Sequence, residues 1–248
     1  MILLAGSGLV AGLFNAVAGG GTFFTFSALL AAGVPPISAN ATSAVALVPG
    51  SFASTFAYRS EIRANLRHFA SLCLVSAIGG GLGALLLLQL ENATFRPLVP
   101  WLLLAATLLF AAGPVITKLA RRGGDWGTRR LRRAAMVSFQ FLVALYGGFF
   151  GAGIGIMMLA ALTITEGSDF HRINSAKNLL SALLQIVAVS FFIAAGVIDW
   201  LAVAVIGGTA IVGGYGGVAV SRRINPNAMR WLVVAIGLTL TAIFLIRN

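Results

Sequence analysis

Charged residues are scarce in this sequence. Only 9% of its 248 residues are Asp, Glu, Lys or Arg, whereas 59% are hydrophobic and the mean hydropathy is +0.98. A soluble domain carries roughly 25% charged residues, because its surface must face water. The composition therefore excludes an ordinary soluble domain and indicates an integral membrane protein.

Cysteine and acidic residues are also rare. The single cysteine, Cys73, excludes a disulfide framework and a zinc site built from cysteines. Six acidic residues stand against 17 basic ones, and the net charge of +11 would suggest a nucleic-acid ligand in a soluble protein. In so apolar a chain, the basic residues instead indicate cytoplasmic loops that face anionic lipid. We expect membrane lipid as a partner, no nucleic acid and no cofactor.

Six stretches are apolar over about 20 residues, the length that a helix needs to cross the hydrocarbon core. Polar or proline-containing segments mark their ends, such as Arg59 after the first stretch and Pro226 at the start of the last. The predicted membrane-spanning helices are residues 39–58, 68–90, 97–117, 174–195, 200–220 and 226–246.

Two further apolar stretches, residues 1–33 and 134–165, are interrupted by glycine clusters. Glycine at this density favours non-helical backbone. We interpret each stretch as two half-helices joined by a glycine loop near mid-membrane, where irregular backbone must be buried in protein or line a cavity. The alternative is a single kinked helix whose glycines allow close packing.

The distribution of basic residues favours one of two topologies. If both interrupted stretches turn back as re-entrant hairpins, 15 of the 17 basic residues fall on one side of the membrane. If both stretches cross, the basic residues divide into 11 and six. The positive-inside rule favours the re-entrant arrangement, which places both termini outside the cytoplasm. Residues 118–133 then form a basic cytoplasmic linker between two halves of the chain.

The two halves, residues 1–117 and 134–248, align without a gap at an offset of 134 residues. Each half is predicted to contain a broken hairpin, a short polar loop, a helix that begins with asparagine, and two more helices. Because one hairpin and three crossings make an odd number of crossings, the second copy must be inverted, as in many transporters. The identical pairs are Ala18/Ala152, Gly19/Gly153, Gly21/Gly155, Gly33/Gly167 and Asn40/Asn174.

Residues 8–52 contain a glycine pair spaced by four, a glycine cluster, a Gly-x-Pro turn and an Asn-x-x-Ser helix start. Residues 146–158 (YGGFFGAGIGIMM) and 173–180 (INSAKNLL) carry a second copy. The pattern resembles the sulfite exporter TauE/SafE family over essentially the whole chain. That resemblance implies a transporter of small sulfur oxyanions or organosulfonates, generally outward from the cytoplasm. Phe14 and Asn15 depart from the small and aliphatic residues common in the family.

Backbone N–H groups of the two glycine loops are the first candidate ligands for an anion. The second half-helix of each hairpin begins at its loop, and its first four N–H groups lack partners within the helix and lie at the positive end of the dipole. The alternative is that these glycines serve only helix packing. The candidate residues are Asn15, Gly19, Gly20, Gly21 and Thr22 in the first half, and Gly151, Gly153 and Gly155 in the second.

Neutral polar side chains at the starts of the next helices are the second set of candidates. Asn40 and Asn174 are equally suited to capping a helix N-terminus and to binding a ligand. Thr42, Ser43 and Asn178 lie further into their helices and are better ligand candidates.

Lys177 breaks the symmetry between the halves, because it aligns with Ser43. A charge within a membrane helix is costly, which favours a functional role such as substrate binding. The alternative is that its ammonium group snorkels to the cytoplasmic surface. Similarly, Arg59, Arg63, Arg67 and His68 suit either a cytoplasmic vestibule or interfacial charges that set the topology.

No Asp or Glu falls deep in a predicted span, which excludes a relay of buried carboxylates. Without buried acids or histidines, an intramembrane enzyme lacks a catalytic set, so we expect no enzymatic activity. We predict an all-α, multi-pass transporter of the cell membrane with two inverted repeats, which exports small sulfur-containing anions by alternating access. The alternative is an anion channel or uniporter of the same fold. Small-residue faces at residues 79–83 and 207–214 would suit helix packing within one subunit or in a homodimer.

Overall fold

Helices account for nearly all of the computed structural model, which describes residues 1–17, 20–122, 129–155, 157–159, 162, 170–221 and 226–247. No strand occurs among these residues, and the predicted all-α class is confirmed. The helices are α1 (Ile2–Val17), α2 (Gly21–Ala31), α3 (Pro36–Ala46), α4 (Val48–Ala57), α5 (Arg59–Leu88), α6 (Asn92–Phe95), α7 (Val99–Arg122), α8 (Arg129–Phe149), α9 (Phe170–Ala194), α10 (Trp200–Ser221) and α11 (Pro226–Arg247).

Three helical segments of the described chain are long and apolar enough to cross a membrane: Arg59–Leu88, Asn92–Gly113 and His171–Ala194. Shorter apolar helices cover Ile2–Asn15, Gly21–Ala31, Arg133–Phe149, Trp200–Gly214 and Trp231–Ile246. Large apolar side chains are exposed along them, such as Leu74 at 63% and Leu201 at 61%. An exposed apolar surface of this kind suits lipid rather than water.

Both glycine-rich stretches are interrupted in the structure. The first break separates α1 from α2 and includes Gly20, whose φ of 88° lies in the left-handed region. The second break follows α8 and includes Gly151 and Gly153, with φ of 79° and 78°. Helical backbone resumes at Ile154. Gly19, Gly167 and the centre of the basic linker, residues 123–128, lie outside the described residues.

Several helix boundaries differ from the prediction, and α5 begins at Arg59 instead of the predicted residue 68. The span predicted at 39–58 is divided at Leu47 into α3 and α4, because Pro49 has no N–H to bond the carbonyl one turn earlier. Helices α3 and α9 begin four residues before Asn40 and Asn174, so of the two alternatives for these asparagines, capping and ligand binding, capping is excluded. The first turn of α3 is instead satisfied from outside, since the backbone N–H of Ile37 donates to Asn92 Oδ1 at 3.0 Å.

The halves of the chain pack into each other through glycine-rich helix pairs. Helix α1 packs on α10, where a Cβ on Gly12 would collide with the carbonyl oxygen of Ala210. Helix α5 packs on α8, where a Cβ on Gly83 would collide with the carbonyl oxygen of Leu145. Gly79 and Gly213, from the two small-residue faces, also contact helices of the same chain. These contacts occupy parts of both faces, and a homodimer stays a prediction.

Contacts also give the relative directions of the helices. Phe14 stacks on Phe24 with ring centroids 4.7 Å apart, so α2 folds back along α1. Gln185 bonds the carbonyl of Ala44, and Thr55 bonds the carbonyl of Asn178. Because residue numbers rise along α3–α4 as they fall along α9, the two run antiparallel. The inverted repeat itself stays a prediction.

Candidate functional site

Helix α3 lies among elements of both halves and carries three of the predicted ligands, Asn40, Thr42 and Ser43. Ser43 is fully buried, and its Oγ lies 2.6 Å from Oγ1 of Thr25 on α2, also fully buried. A hydroxyl pair at this distance forms a strong neutral hydrogen bond. The pair joins the first hairpin to α3. Thr25 was not predicted from the sequence, because it is one of many hydroxyl residues in an apolar segment.

Asn40 joins α3 to the second break. Its Nδ2 donates to the backbone carbonyl of Phe149 at 3.1 Å, at the end of α8. The side chain is only 3% exposed, and Oδ1 has no hydrogen-bond partner among the described residues. The amide group also retains a second N–H hydrogen beyond the one used. A buried amide with unused hydrogen-bonding capacity suits a bound ligand or water.

The second break is stabilised by contacts on both sides. The hydroxyl of Tyr146 donates to the carbonyl of Ala152 at 2.9 Å, spanning the change of direction. Phe150 packs edge-on against Phe26 of α2, with ring centroids 5.3 Å apart. The left-handed backbone at Gly151 and Gly153 is accessible to glycine without strain. A Cβ at Gly155 would meet only open space.

The first break is closed by a side chain. Asn15 lies one turn before the break, and its Oδ1 accepts the backbone N–H of Gly21 at 2.9 Å. This bond satisfies one of the N–H groups that we predicted for an anion. Gly21 also has no space for a Cβ, which would lie 2.7 Å from the carbonyl oxygen of Ala11. Thr22, the next residue, is half-buried.

Gln185 lies level with the second break and was missed by the sequence analysis. A Cβ on Gly147 would contact both Ile154, just after the break, and Leu184 of α9. The neighbouring Gln185 donates through Nε2 to the carbonyl of Ala44 at 3.0 Å. The available signal was an uncharged amide in the middle of an apolar span, a residue type that membrane helices rarely place without a role.

Thr42 connects α3 to the start of α10. It is fully buried, and its Oγ1 accepts the backbone N–H of Asp199 at 3.0 Å. Asp199 itself caps α10, since its Oδ1 accepts the backbone N–H of Ala202. The predicted ligand Thr42 is therefore used in the structure to tie two helices together.

The ligands predicted on α9 from the sequence lie further from the second break than Gln185 does. Asn174 is buried inside the helix, whereas Lys177 and Asn178 are half-buried. Lys177 is eight residues from Gln185, which corresponds to about 12 Å along the helix axis. The carbonyl of Asn178 accepts Thr55 Oγ1 at 3.2 Å, near the end of α4. The structure thus brings Asn40, Thr42 and Ser43 to the centre and leaves Lys177 about two turns away.

Every fully buried polar side chain in the described part of the chain is uncharged. The group consists of Ser, Thr, Asn and Gln side chains. The same residues contain no cluster of three or more His, Cys, Asp or Glu side chains that would hold a metal ion. The centre of the protein therefore offers neutral hydrogen-bonding groups and helix ends rather than charge.

Comparison with known proteins places this geometry in a family context. The profile of the sulfite exporter TauE/SafE family matches residues 4–245. A probable membrane transporter protein of Haemophilus influenzae is 28% identical over 239 residues, which cover 95% of this chain and 90% of that protein.

Two further relatives cover less of the chain. A probable membrane transporter protein of Sinorhizobium is 27% identical over 191 residues, covering 77% of this chain and 71% of that protein. The probable membrane transporter protein YfcA of Escherichia coli is 26% identical over 196 residues, covering 77% and 70%. No solved structure is significantly similar to this chain.

Proposed function

Because this chain belongs to the sulfite exporter TauE/SafE family of membrane transporters, we propose that it exports small sulfur-containing anions. The substrates would be sulfite or an organosulfonate such as sulfoacetate, moved across the inner or plasma membrane of the cell. The relatives are named only as probable membrane transporters, so the substrate class rests on the family and on the chemistry of the site.

The proposed architecture is a pair of inverted repeats, each with a re-entrant hairpin. Two observations support it. The pairings α1–α10 and α5–α8 are reciprocal, since each joins the first hairpin helix of one half to the same later helix of the other. The antiparallel contact of α3–α4 with α9 also fits an even number of membrane crossings between them, namely α5 and α7, with the second interrupted stretch re-entrant. A second stretch that crossed fully would make these helices parallel.

The proposed anion site is the second break, and Asn40 is the observation that carries it. Its buried amide is attached to Phe149 at the edge of the break and has unused hydrogen-bonding capacity. Backbone N–H groups of Gly153, Ile154 and Gly155 start a new helix, where the positive end of the dipole favours an anion. The free Oδ1 of Asn40 can accept a hydrogen bond from the O–H of hydrogensulfite or of a bound water.

Alternating access around this site would be driven by the membrane potential. The described core holds no buried charge that would bind a coupling cation or relay a proton. An inside-negative potential contributes about 2.3 kcal/mol per 100 mV to the outward movement of one negative charge. A uniporter with a neutral site would use this free energy directly. The second candidate, an anion channel, would use the same site without saturation.

The test is uptake of labelled sulfite and sulfoacetate into proteoliposomes, with sulfate as competitor, under a set voltage and then a set pH gradient. We expect saturable flux that follows voltage without a pH gradient. Asn40→Asp places a negative charge of similar shape in the site and should raise KM about tenfold, since like charges at this range repel by more than roughly 1.4 kcal/mol. Ser190→Ala is the matched control, because its exposed hydroxyl bonds only its own helix.

Each result has a distinct meaning. Saturable flux that Asn40→Asp weakens and Ser190→Ala leaves unchanged would support both substrate class and site. Flux that rises linearly with substrate concentration would contradict the transporter and support the anion channel. Flux insensitive to Asn40→Asp would remove the second break as the site. No flux of any sulfur anion would remove the proposed substrates while leaving the family membership intact.

A further inference from the structure

A basic stripe continues directly into an apolar stripe on the exposed side of α5. Arg59, Arg63 and Arg67 are all exposed and follow each other at four-residue spacing, which places them on one face of the helix. The same face continues with exposed apolar side chains at three- or four-residue spacing. These are Leu74, Ile78, Leu82 and Leu85, which are 63%, 49%, 43% and 38% exposed.

The opposite face of α5 is buried in the protein. Ile62, Phe69, Leu72 and Ser76 are all buried there, and Gly80 packs against Leu184 of α9. Arg63 and Arg67 therefore point away from the interior of the bundle. This arrangement disfavours a role for them in a cytoplasmic vestibule and turns them toward the surroundings of the protein.

The depth of the stripe matches the edge of a bilayer. From Arg67 to Leu88 the helix rises by about 32 Å, close to the roughly 30 Å of a hydrocarbon core. Arg59 stacks on the exposed ring of Phe56, with its Cζ 4.5 Å from the ring centroid. Aromatic side chains at this level are typical of the membrane interface. Arg63 and Arg67 thus lie at headgroup depth, with Leu74 and the residues beyond it at the depth of acyl chains.

The positive charges of Arg63 and Arg67 have no carboxylate partner within the described part of the chain. Arg59, the first residue of the stripe, interacts electrostatically with the Glu61 carboxylate. Glu61 lies two residues before Arg63, on another side of the helix, and its carboxylate accepts the Ser60 hydroxyl at 2.6 Å. The two arginines are separated by about 6 Å along the helix, so both can contact one phosphate group.

We propose that this face of α5 binds an anionic phospholipid, whose phosphate contacts Arg63 and Arg67 and whose acyl chain lies along Leu74, Ile78 and Leu82. Charge complementarity favours an anionic headgroup, and the adjoining apolar stripe favours a lipid over a free phosphate. The proposal is independent of the transported substrate, because it concerns the outer surface of the bundle.

The test measures lipid retained by the full chain in native mass spectrometry, with phosphatidylglycerol, phosphatidylcholine and inorganic phosphate as separate probes. We expect phosphatidylglycerol to be preferred over phosphatidylcholine. The double variant Arg63→Gln/Arg67→Gln should bind it roughly 25-fold more weakly, from about fivefold per arginine near a membrane surface. Lys118→Gln/Arg133→Gln removes the same charge from two exposed positions of the basic linker and should weaken binding of phosphatidylglycerol clearly less than Arg63→Gln/Arg67→Gln does.

Three results would overturn the proposal: equal affinity for the two lipids, an equal loss in both double variants, or displacement of the lipid by an equal concentration of inorganic phosphate. Arg63→Lys/Arg67→Lys retains the charge and is the control for misfolding caused by substitution at these positions. It should keep most of the preference for phosphatidylglycerol, and loss of that preference in a folded protein would also contradict the proposal.

Discussion

The two breaks in the glycine-rich stretches have different local chemistry despite their similar sequences. At the first break, Asn15 Oδ1 accepts the first N–H of α2. The residue 134 positions later is Phe149, whose ring has no oxygen or nitrogen to accept such a bond. Its carbonyl instead accepts the amide of Asn40 from the other half. One break is thus closed by its own side chain, whereas the other depends on a neighbouring helix.

A second difference lies beside the first. The buried hydroxyl pair Thr25 and Ser43 stabilises the first hairpin against α3. The corresponding positions in the second half are Leu159 and Lys177, which cannot form such a pair. If the two halves are inverted copies, as proposed, the missing hydroxyl pair in the second half makes the two breaks unequal and favours an asymmetric site.

The largest expected effect comes from placing alanine at a left-handed glycine in each of the two breaks. Gly20→Ala and Gly153→Ala each force alanine into left-handed backbone, at a cost of about 1–2 kcal/mol. A Cβ on Gly153 would lie 3.6 Å from the nearest atom, the carbonyl oxygen of Ala106, so no collision adds to that strain. If the second break binds the anion, Gly153→Ala should lower kcat/KM for sulfite at least about tenfold, a transition-state loss of roughly 1.4 kcal/mol.

Gly20→Ala provides the control for that loss. The unfolding midpoint of Gly20→Ala should fall by about as much as that of Gly153→Ala. Its KM should stay within about twofold of the unmodified protein, because backbone strain away from the anion site removes no contact to the substrate. Thermal unfolding in detergent and proteoliposome flux measure the two quantities separately. Equal losses of flux in both variants would mean that the two breaks contribute alike, which contradicts the asymmetry.

Much of the fold could be predicted from the sequence because the controlling signals are local. Twenty-residue apolar runs and dense glycine determine helices and breaks directly, and α10 and α11 begin at the predicted residues 200 and 226. The division of α3 from α4 at Leu47 was missed, although Pro49 was visible. A proline inside an apolar run kinks some helices and interrupts others, and only the packing decides which occurs.

The candidate site was predictable in its residue types but not in its pairings. Asn40 and Ser43 were identified from their positions near a helix start, yet their partners Phe149 and Thr25 come from distant parts of the chain. No spacing rule connects residues that tertiary packing brings together. Gln185 was missed for the same reason, since its contact with Ala44 spans 141 residues.

Lys177 offers an intermediate effect that sharpens the comparison. Lys177 is the counterpart of Ser43 in the second half and carries a positive charge there. It lies about 12 Å along α9 from the level of the second break. At that distance in a partly solvated setting it should attract the anion by roughly 1 kcal/mol. Lys177→Gln should therefore raise KM for sulfite about fivefold at low salt, with little change in kcat.

Added salt distinguishes attraction at a distance from direct contact. Raising the ionic strength from about 0.01 M to 0.15 M shortens the screening length from roughly 30 Å to 8 Å. The difference between Lys177→Gln and the unmodified protein should shrink accordingly. A loss of more than about a hundredfold that is independent of salt would indicate direct substrate contact, and would move the site toward Lys177.

Asn15 gives the smallest expected change in transport and the most direct test of its assigned role. Asn15→Ala leaves the Gly21 N–H without its acceptor and should lower the free energy of unfolding by about 1 kcal/mol, the usual cost of losing a helix cap. Because the bond lies within the first break, KM for sulfite should not change measurably. Asn15→Asp preserves the acceptor and should restore the stability, which separates lost capping from lost packing. If Asn15→Ala instead raised KM while leaving the unfolding midpoint unchanged, Asn15 would be a ligand rather than a cap, and the first break would be the open one.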